Sequence, residues 1–403
     1  MPPSAVAGVG PQDQQGAAMS RFSARMADID PFRVVEVLTR ARQLEAAGRD
    51  ILHLEIGEPD FTTAQPICEA AIRALRSGHT GYTPALGIEP LREAIAGWYA
   101  SEYGLSIAPG RIVVTPGASG AILLLTALLV SPGDRLLLTD PGYPCNRHFI
   151  RLVEGRATLV PVSPVDHYHL TPAAVEAHWD DRTIGAMVAS PANPTGEVMN
   201  RAQLQALWGA VRQRDGSLIV DEIYHGLNYD GPAPSILEIT DDCYVVSSFS
   251  KYFGMTGWRL GWLVAPTQAV PELEKLAQNL FIAPSTPAQH AALACFEPAT
   301  RDILNERRDL FRARRDFLFP ELCRMGFAIP QRPAGGFYLY AGIDRLAADS
   351  QAFCFDLLER HGVALTPGAD FGRHRADQHV RFAYTSTMHD LERAVARLQR
   401  VCR

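Results

Sequence analysis

A long apolar segment is missing from this 403-residue sequence. The longest apolar run, GAILLLTALLV at 120–130, is shorter than the roughly 18 residues that a membrane-spanning helix needs, so it predicts a buried helix. No basic stretch leads into an apolar core near the N-terminus, which argues against a signal peptide. The sequence therefore predicts a protein with no membrane partner.

Paired residue motifs typical of metal sites and of disulfide frameworks are also missing. The seven cysteines are scattered, odd in number and without a CxxC pair, which favours free thiols in a reducing cytoplasm. The twelve histidines include no HExxH and no paired Cys/His spacing, so no metal site is expected. The net charge is −6 and no basic stripe stands out, which makes a nucleic-acid partner unlikely.

Seven short apolar segments dominate the middle of the chain. They are RIVVTPG, RLLLTDPGY, ATLVPVS, IGAMVASPANP, SLIVDEIY, CYVVSSFSK and RLGWLVAP, between residues 111 and 266. Helical segments such as 119–130 and 201–214 lie between several of them. Apolar strands that alternate with helices predict an α/β fold with a seven-stranded, mostly parallel sheet covered by helices on both faces.

The two ends of the chain differ from its middle in composition and in predicted secondary structure. Residues 1–28 are rich in Pro, Gly, Ala and Gln and predict a disordered tail. A helix is expected from Asp30, as N-cap before Pro31, to about Gly48. A long charged helix near 300, short strands and a last helix predict a smaller α+β domain. The predicted domains are 29–60 with 300–403, and 61–299.

Polar residues collect where the predicted strands end. Asp221 ends an apolar strand, where a buried carboxylate needs a cationic or N–H partner; the alternative is a helix cap. Ser119 opens an apolar helix and indicates either an anion site or an ordinary cap. Tyr143, Asn193 and Tyr224 follow strands too, and each has an alternative role in packing or in a turn.

Lys251 ends the segment SSFSK, and Arg259 follows eight residues later. A desolvated lysine becomes a nucleophilic amine, and an arginine fork matches a phosphate. A surface lysine after a serine-rich turn is the alternative. In a parallel sheet, however, all these strand ends meet in one crevice. Such a crevice would contain an amine, a carboxylate, phenol and amide donors, and a phosphate-binding arginine. This combination matches a site for pyridoxal 5′-phosphate.

Several ordered motifs strengthen this interpretation. SFSKYFGMTGWRLGW, SPANPTG and VDEIY resemble signature segments of the fold-type I aminotransferases, in the aspartate aminotransferase superfamily (class I/II). LEIGEPDF, GYTPALGIEPLREAIA, TPGASGA and VRFAYTST extend the resemblance to roughly residues 30–400. The resemblance implies a transaminase that moves an amino group between an L-amino acid and a 2-oxo acid by a ping-pong mechanism.

The resemblance also implies roles for individual residues. Lys251 would form the Schiff base, Asp221 would pair with the pyridine nitrogen, and Tyr224 and Asn193 would bind the ring oxygen. The other implied cofactor contacts are Ala118, Ser119, Tyr143, Ser248 and Arg259, with Tyr82 reaching the site of a partner subunit in a homodimer. Ser250 lines the same segment with a less defined role. The implied substrate contacts are Gly57, Asn193, Arg381 and Phe337.

Substrate preference is less well defined. Residues 279–287 contain no arginine where the dicarboxylate-specific branch has one, and Phe281, Ile282 and Phe337 suggest an apolar pocket or simply core packing. A C–S lyase or an aminocyclopropane-carboxylate synthase-like enzyme would share Lys251 and Asp221. An aminotransferase-like regulator would need a DNA-binding domain of about 70 residues before the fold, and a nicotinamide dehydrogenase would need a complete GxGxxG motif.

Overall fold

The central segments form the strands that were expected. The computed structural model describes residues 22–402. In chain order the strands are β1 (Leu52–His53), β2 (Ile112–Thr115), β3 (Arg135–Asp140), β4 (Arg156–Pro161), β5 (Thr183–Ala189), β6 (Ser217–Asp221), β7 (Tyr244–Ser248), β8 (Gly261–Val264), β9 (Tyr338–Gly342), β10 (Val363–Ala364), β11 (Thr366–Pro367) and β12 (His379–Ala383).

Strands β2 to β8 make one seven-stranded sheet in the order β2-β8-β7-β6-β5-β3-β4. Neighbouring strands are parallel except β8, which runs antiparallel to both β2 and β7. The central strands are buried along almost their whole length, because helices cover both faces and leave no polar face for water. The predicted α/β fold class is confirmed.

Twelve α-helices surround and extend this sheet within the described residues. They are α1 (Arg33–Ala46), α2 (Gln65–Arg76), α3 (Glu89–Tyr103), α4 (Gly117–Leu129), α5 (Cys145–Leu152), α6 (Pro172–His178), α7 (Arg201–Arg212), α8 (Val270–Leu280), α9 (Thr286–Leu293), α10 (Pro298–Arg324), α11 (Ser350–Asp356) and α12 (Met388–Leu398). The apolar run at 120–130 lies in α4, packed on the sheet. No helix in 22–402 is long and apolar enough to cross a membrane.

The C-terminal part of the chain adds two smaller sheets. Strands β11, β12 and β9 form a three-stranded antiparallel sheet, and β1 pairs in parallel with β10. Segments from both ends of the chain therefore meet, because β1 and β10 are more than 300 residues apart. The domain boundaries given above stay predictions.

The N-terminal region differs from the expectation in two ways. Residues 1–21 of the predicted disordered tail lie outside the described part, but Ala24–Asp28 form a 3-10 helix whose ends are held by ion pairs of Arg25 with Glu154 and of Asp28 with Arg151. Helix α1 does not begin at an Asp30 cap. Its N-cap residue is Phe32, whose side chain cannot accept a hydrogen bond from the helix.

All seven cysteines lie in the described residues and are free thiols, as their spacing predicted. Among residues 22–402, no group of three or more His, Cys, Asp or Glu side chains is arranged to hold a metal ion.

Candidate active site

A cavity of about 410 Å³ opens at the carboxyl ends of the central strands. Its wall contains most of the predicted site residues, brought together from segments up to 324 residues apart: Gly57, Ala118, Ser119, Tyr143, Asn193, Asp221, Tyr224, Ser248, Ser250, Lys251, Arg259 and Arg381. The volume falls in the usual range for sites that hold small molecules or cofactors.

Lys251 lies three residues beyond the end of β7, in the turn that leads to β8. Its Nζ donates a hydrogen bond to the backbone oxygen of Gly57 at 3.0 Å. The same nitrogen is 5.8 Å from the centre of the Tyr224 ring, so its surroundings are largely aromatic. In the described part of the chain no carboxylate forms a salt bridge with this amine, which keeps it available for chemistry.

Asp221 ends β6 at the floor of the cavity and is 4% exposed. Burial raises the pKa of its carboxyl to about 7, although the N–H of Ile223, which donates to Oδ1 at 3.0 Å, and the charge of Lys251 both act to lower it. A carboxylate in this position is stabilised by a cationic N–H group in the cavity. The predicted N–H partner thus exists and belongs to the backbone of Ile223.

The N-terminus of α4, Arg259 and Ser248 together form an anion-binding cradle in the cavity wall. Helix α4 begins at Gly117, and no side chain caps its free N–H groups. Gly117 has φ +71°, and a Cβ there would lie 2.6 Å from Nη2 of Arg259, so only glycine lets this guanidinium approach the helix end so closely. Ser248 adds a hydroxyl that accepts from the N–H of Ser250 at 3.0 Å. This combination suits a phosphate group.

Arg259 reaches the cradle differently from the expectation. It precedes β8, so it lies at the start of a strand, whereas the other site residues follow strand ends. Because β8 runs antiparallel to β7, the start of β8 lies at the same sheet edge as the end of β7. The antiparallel hairpin is therefore what brings Lys251 and Arg259 to the same cavity.

Asn193 and Tyr224 present hydrogen-bond donors beside the carboxylate. Oδ1 of Asn193 accepts from Arg381 at 3.0 Å, which leaves its amide N–H groups for a ligand. The hydroxyl of Tyr224 donates to that of Tyr338 at 3.0 Å. Burial raises the pKa of Tyr224 well above its ordinary value, so the phenol stays protonated, and its single O–H must turn from Tyr338 to donate to a ligand. Tyr143 also lines the cavity, with its ring 6.5 Å from that of Phe32.

Arg381 lies in β12 and is 5% exposed. Besides Asn193, its guanidinium donates to the backbone oxygen of Glu55 at 2.6 Å and to Thr366 at 3.3 Å, and it stacks 4.3 Å from the Tyr338 ring centre. Its buried Nε has no acceptor among the described residues. A fixed guanidinium with a free N–H in a cavity is suited to a carboxylate ligand.

Helix α1 forms a wall that the sequence did not reveal. Val34, Val35 and Leu38 line the cavity together with Phe32. The buried carboxylate of Asp370, far along the chain, accepts from the N–H of Arg33 at 2.6 Å and so caps the helix in place of Asp30. The cap comes from a distant loop, so no local pattern could have indicated it.

Four predicted residues lie outside this cavity wall. Phe337 is fully buried, with its ring centre 5.4 Å from that of Tyr224 and 5.6 Å from Nζ of Lys251, and its neighbour Tyr338 lines the cavity. The alternation in GGFYLY could have indicated this, because successive strand residues point to opposite faces. Phe281 and Ile282 are likewise not in the wall, and Ile282 is exposed. Tyr82 is 85% exposed on the surface of the chain.

Comparisons with known proteins agree with this geometry. The family model "Aminotransferase class I and II" matches residues 49–398. The chain is 36% identical to a valine–pyruvate aminotransferase of Mycobacterium tuberculosis over 92% of this chain and 96% of the relative. It is 32% identical to an aspartate aminotransferase of Geobacillus stearothermophilus, over 94% and 98%.

Solved structures give the same result. An aminotransferase from Mycobacterium tuberculosis has a TM-score of 0.91 and 35% identity, over 95% of this chain and 99% of that one. A Thermus thermophilus aspartate aminotransferase variant has a TM-score of 0.90 and 34% identity, over 95% and 100%. Sequence, fold and cavity agree: the chain belongs to the class I and II aminotransferases, and it is a transaminase.

Proposed function

We propose that this transaminase uses pyridoxal 5′-phosphate and acts on amino acids whose side chain carries no carboxylate. The observation that carries the proposal is that Lys251, Asp221 and Arg381 line one cavity, with an anion cradle at its end. An amine, a buried carboxylate, a carboxylate-binding guanidinium and a phosphate cradle are what a transaminase that uses this cofactor requires.

The residues present fit the cofactor. Arg259, Ser248 and the N-terminus of α4, with Ala118 and Ser119, would hold the phosphate, because Gly117 leaves room for the guanidinium at the helix end. Asp221 would pair with the ring nitrogen, which offsets the cost of burying its charge. Asn193 would donate to the ring oxygen, Tyr224 would do so once its O–H turns from Tyr338, and Tyr143 would stack on the ring.

The bound cofactor supplies an aldehyde that condenses with amines and a ring that withdraws electrons from the substrate. The chain's own residues would do the rest. Arg381 would bind the α-carboxylate through the N–H groups that Asn193, Glu55 and Thr366 leave free, and the backbone of Gly57 would assist. Nζ of Lys251 then carries a proton from and to the α-carbon as general base and acid. The rings of Tyr224 and Phe337, with centres 5.8 and 5.6 Å from Nζ, flank this amine.

Side-chain preference follows from the rest of the wall and from residues 279–287. Apart from Lys251, Arg259 and Arg381, no lysine or arginine of the described residues of this chain lines the cavity. Residues 279–287 contain no arginine that could bind a second substrate carboxylate across the proposed dimer. Val34, Val35, Leu38 and Phe32 instead offer apolar surface to an aliphatic side chain. The relative named valine–pyruvate aminotransferase supports this preference, while those named aspartate aminotransferase represent the competing one.

A homodimer with shared sites is part of the proposal. Tyr82 lies away from the cavity of its own chain and is almost fully exposed, as expected of a residue that reaches a partner's phosphate site. The exposed side chains of Ile72, Leu75, Leu280 and Ile282 offer apolar surface for such an interface. A cytoplasmic location, expected from the free cysteines, belongs to the same proposal.

A single-turnover experiment tests the proposed reaction. The cofactor-loaded protein is mixed with valine, alanine or aspartate, and the visible absorbance of the cofactor is followed while oxo acid, ammonia and pyruvate are assayed. We expect a fast change with valine or alanine, stoichiometric oxo acid and no ammonia. In a parallel assay with cystathionine, which has the β-leaving group that these three amino acids lack, release of ammonia and pyruvate would indicate a lyase. Faster conversion of aspartate would contradict the substrate proposal.

A further inference from the structure

The hydroxyls of Tyr224 and Tyr338 form a hydrogen-bonded pair in the cavity wall. Tyr224 follows β6 and Tyr338 begins β9, and both side chains line the cavity and are 2% exposed. The hydroxyl of Tyr224 donates to that of Tyr338 at 3.0 Å. Each phenol supplies one O–H donor and can also accept. The direction of this hydrogen bond therefore depends on what else each hydroxyl contacts.

One of the two O–H groups has no acceptor within the described protein. The pair has two hydrogens and makes one hydrogen bond, and neither hydroxyl is hydrogen-bonded to a third residue among residues 22–402. A buried donor without an acceptor is costly. An acceptor placed beside either hydroxyl would complete the pair, and the surroundings of the two hydroxyls decide which one it reaches.

The protein itself covers the Tyr338 hydroxyl. A Cβ on Gly57 would lie 1.9 Å from this oxygen, so the backbone of Gly57 lies against it and only glycine leaves room for it. The guanidinium of Arg381 covers the ring of Tyr338, with Cζ 4.3 Å from the ring centre. The cofactor contact proposed above falls to Tyr224. A ligand acceptor is therefore expected at Tyr224, and Tyr338 is left to act through it.

We propose that Tyr338 is a positioning residue that reverses this hydrogen bond when the cofactor binds. The O–H of Tyr224 turns to the ring oxygen of the cofactor, and the O–H of Tyr338 then donates to the oxygen of Tyr224. Both hydrogens have an acceptor in this arrangement. A phenol that accepts a hydrogen bond donates more strongly, because hydrogen bonds in a chain polarise one another. Tyr338 thus strengthens the contact between Tyr224 and the ring oxygen. This inference rests on the cofactor contact proposed for Tyr224.

Tyr338→Phe tests this role, since it removes the hydroxyl and keeps the ring that Arg381 covers. The measurement is a pH titration of the visible absorbance of the cofactor-loaded protein without substrate. A donor to the ring oxygen stabilises the cofactor in its deprotonated form. Weaker donation in Tyr338→Phe should therefore raise the pH midpoint of the absorbance change by roughly half a unit.

Tyr340→Phe is the matched control. Tyr340 lies two residues further along β9, is 3% exposed and is not in the cavity wall, so loss of its hydroxyl should leave the midpoint unchanged. A double-mutant cycle is the second control, because Tyr338 acts only through Tyr224. Tyr224→Phe alone should raise the midpoint, and adding Tyr338→Phe to it should cause no further change. Thermal unfolding checks that each variant folds, and Tyr338→Leu, which also lacks the hydroxyl, takes the place of a Tyr338→Phe protein that does not.

The outcomes separate this inference from the proposed function. A wild-type protein that binds no cofactor contradicts both. A midpoint that Tyr338→Phe leaves unchanged or lowers contradicts the role of Tyr338, while the cofactor proposal stands. An unchanged midpoint with a higher KM for every amino acid would place Tyr338 at the substrate instead. An equal shift in the Tyr224→Phe background also contradicts the inference, as does a Tyr224→Phe protein with the wild-type midpoint, whatever the Tyr338 variants do.

Discussion

Replacing Arg381 by lysine tests how the substrate carboxylate is bound. Lysine keeps the positive charge but offers a point charge in place of a planar fork. The native guanidinium is held by acceptors on Asn193, Glu55 and Thr366, at 3.0, 2.6 and 3.3 Å, which leaves two of its five N–H groups, on Nε and Nη1, without an acceptor among the described residues. A lysine amine cannot keep these contacts and also donate to the substrate.

The expected loss is one charge-assisted hydrogen bond together with the orientation of Asn193. This corresponds to about 3 kcal/mol, or roughly a hundredfold in kcat/KM. Because every amino acid has an α-carboxylate, the loss should be similar for all substrates. The assay is steady-state kcat/KM for several amino acids, with thermal unfolding measured in parallel.

Arg315→Lys is the matched control. Arg315 is 1% exposed, donates to the backbone oxygen of Pro333 at 2.7 Å and lies outside the cavity wall. Its replacement should lower the unfolding temperature and leave kcat/KM near the wild-type value. An Arg381→Lys enzyme within threefold of wild type, or a loss confined to one substrate, would refute the assignment of the carboxylate site.

Three further predictions follow from the same geometry. Gly117→Ala should lower stability by about 1–2 kcal/mol and weaken cofactor binding in a titration, because φ is +71° and the new Cβ would contact Arg259. Gly209→Ala is the control: no atom lies near its Cβ position within α7, and it should raise stability by about 0.5–1 kcal/mol. Burial raises the pKa of Asp221 to about 7, so the folded cofactor-free protein keeps a proton that the unfolded chain releases near pH 4. The free energy of unfolding should therefore fall as pH rises from about 4 to about 7. In urea titrations, Asp221→Asn should make this fall smaller. Tyr82→Phe should weaken cofactor binding in the dimer, and mixing it with Lys251→Ala subunits should change the activity per intact site; equal cofactor affinity of mutant and wild type would contradict a role across the interface.

The parts of the site that sequence predicted share one physical origin. Lys251, Asp221 and Asn193 follow apolar segments whose composition identifies them as buried strands, and a parallel sheet brings such ends to one edge. The antiparallel direction of β8 was not predictable, since parallel and antiparallel buried strands have similar sequences. Arg259 therefore lies in the same cavity wall as the residues at the strand ends, although it comes at a strand start.

What the sequence did not reveal depends on contacts between distant segments. Helix α1 could be predicted from its own periodicity, but its place over the cavity depends on the Asp370 carboxylate that caps it. Tyr338 lies in a short strand-like segment, and only the pairing of that segment with β12 decides which of its residues face the cavity. Phe281, Ile282 and Phe337 were expected to form either an apolar pocket or part of the core; Phe337 is fully buried, and residues of α1 line the cavity.

The central claim is that Lys251 is the amine that binds the cofactor covalently, and the composition of the chain makes a direct test possible. The sequence contains only two lysines, Lys251 and Lys275, and Lys275 is an exposed residue of α8 paired with Glu272. Reduction of the cofactor-loaded protein with borohydride, followed by peptide mass spectrometry, should place one cofactor mass on Lys251. The adduct should persist in Lys275→Ala and disappear in Lys251→Ala. An adduct on Lys275, or none on Lys251, would contradict the account.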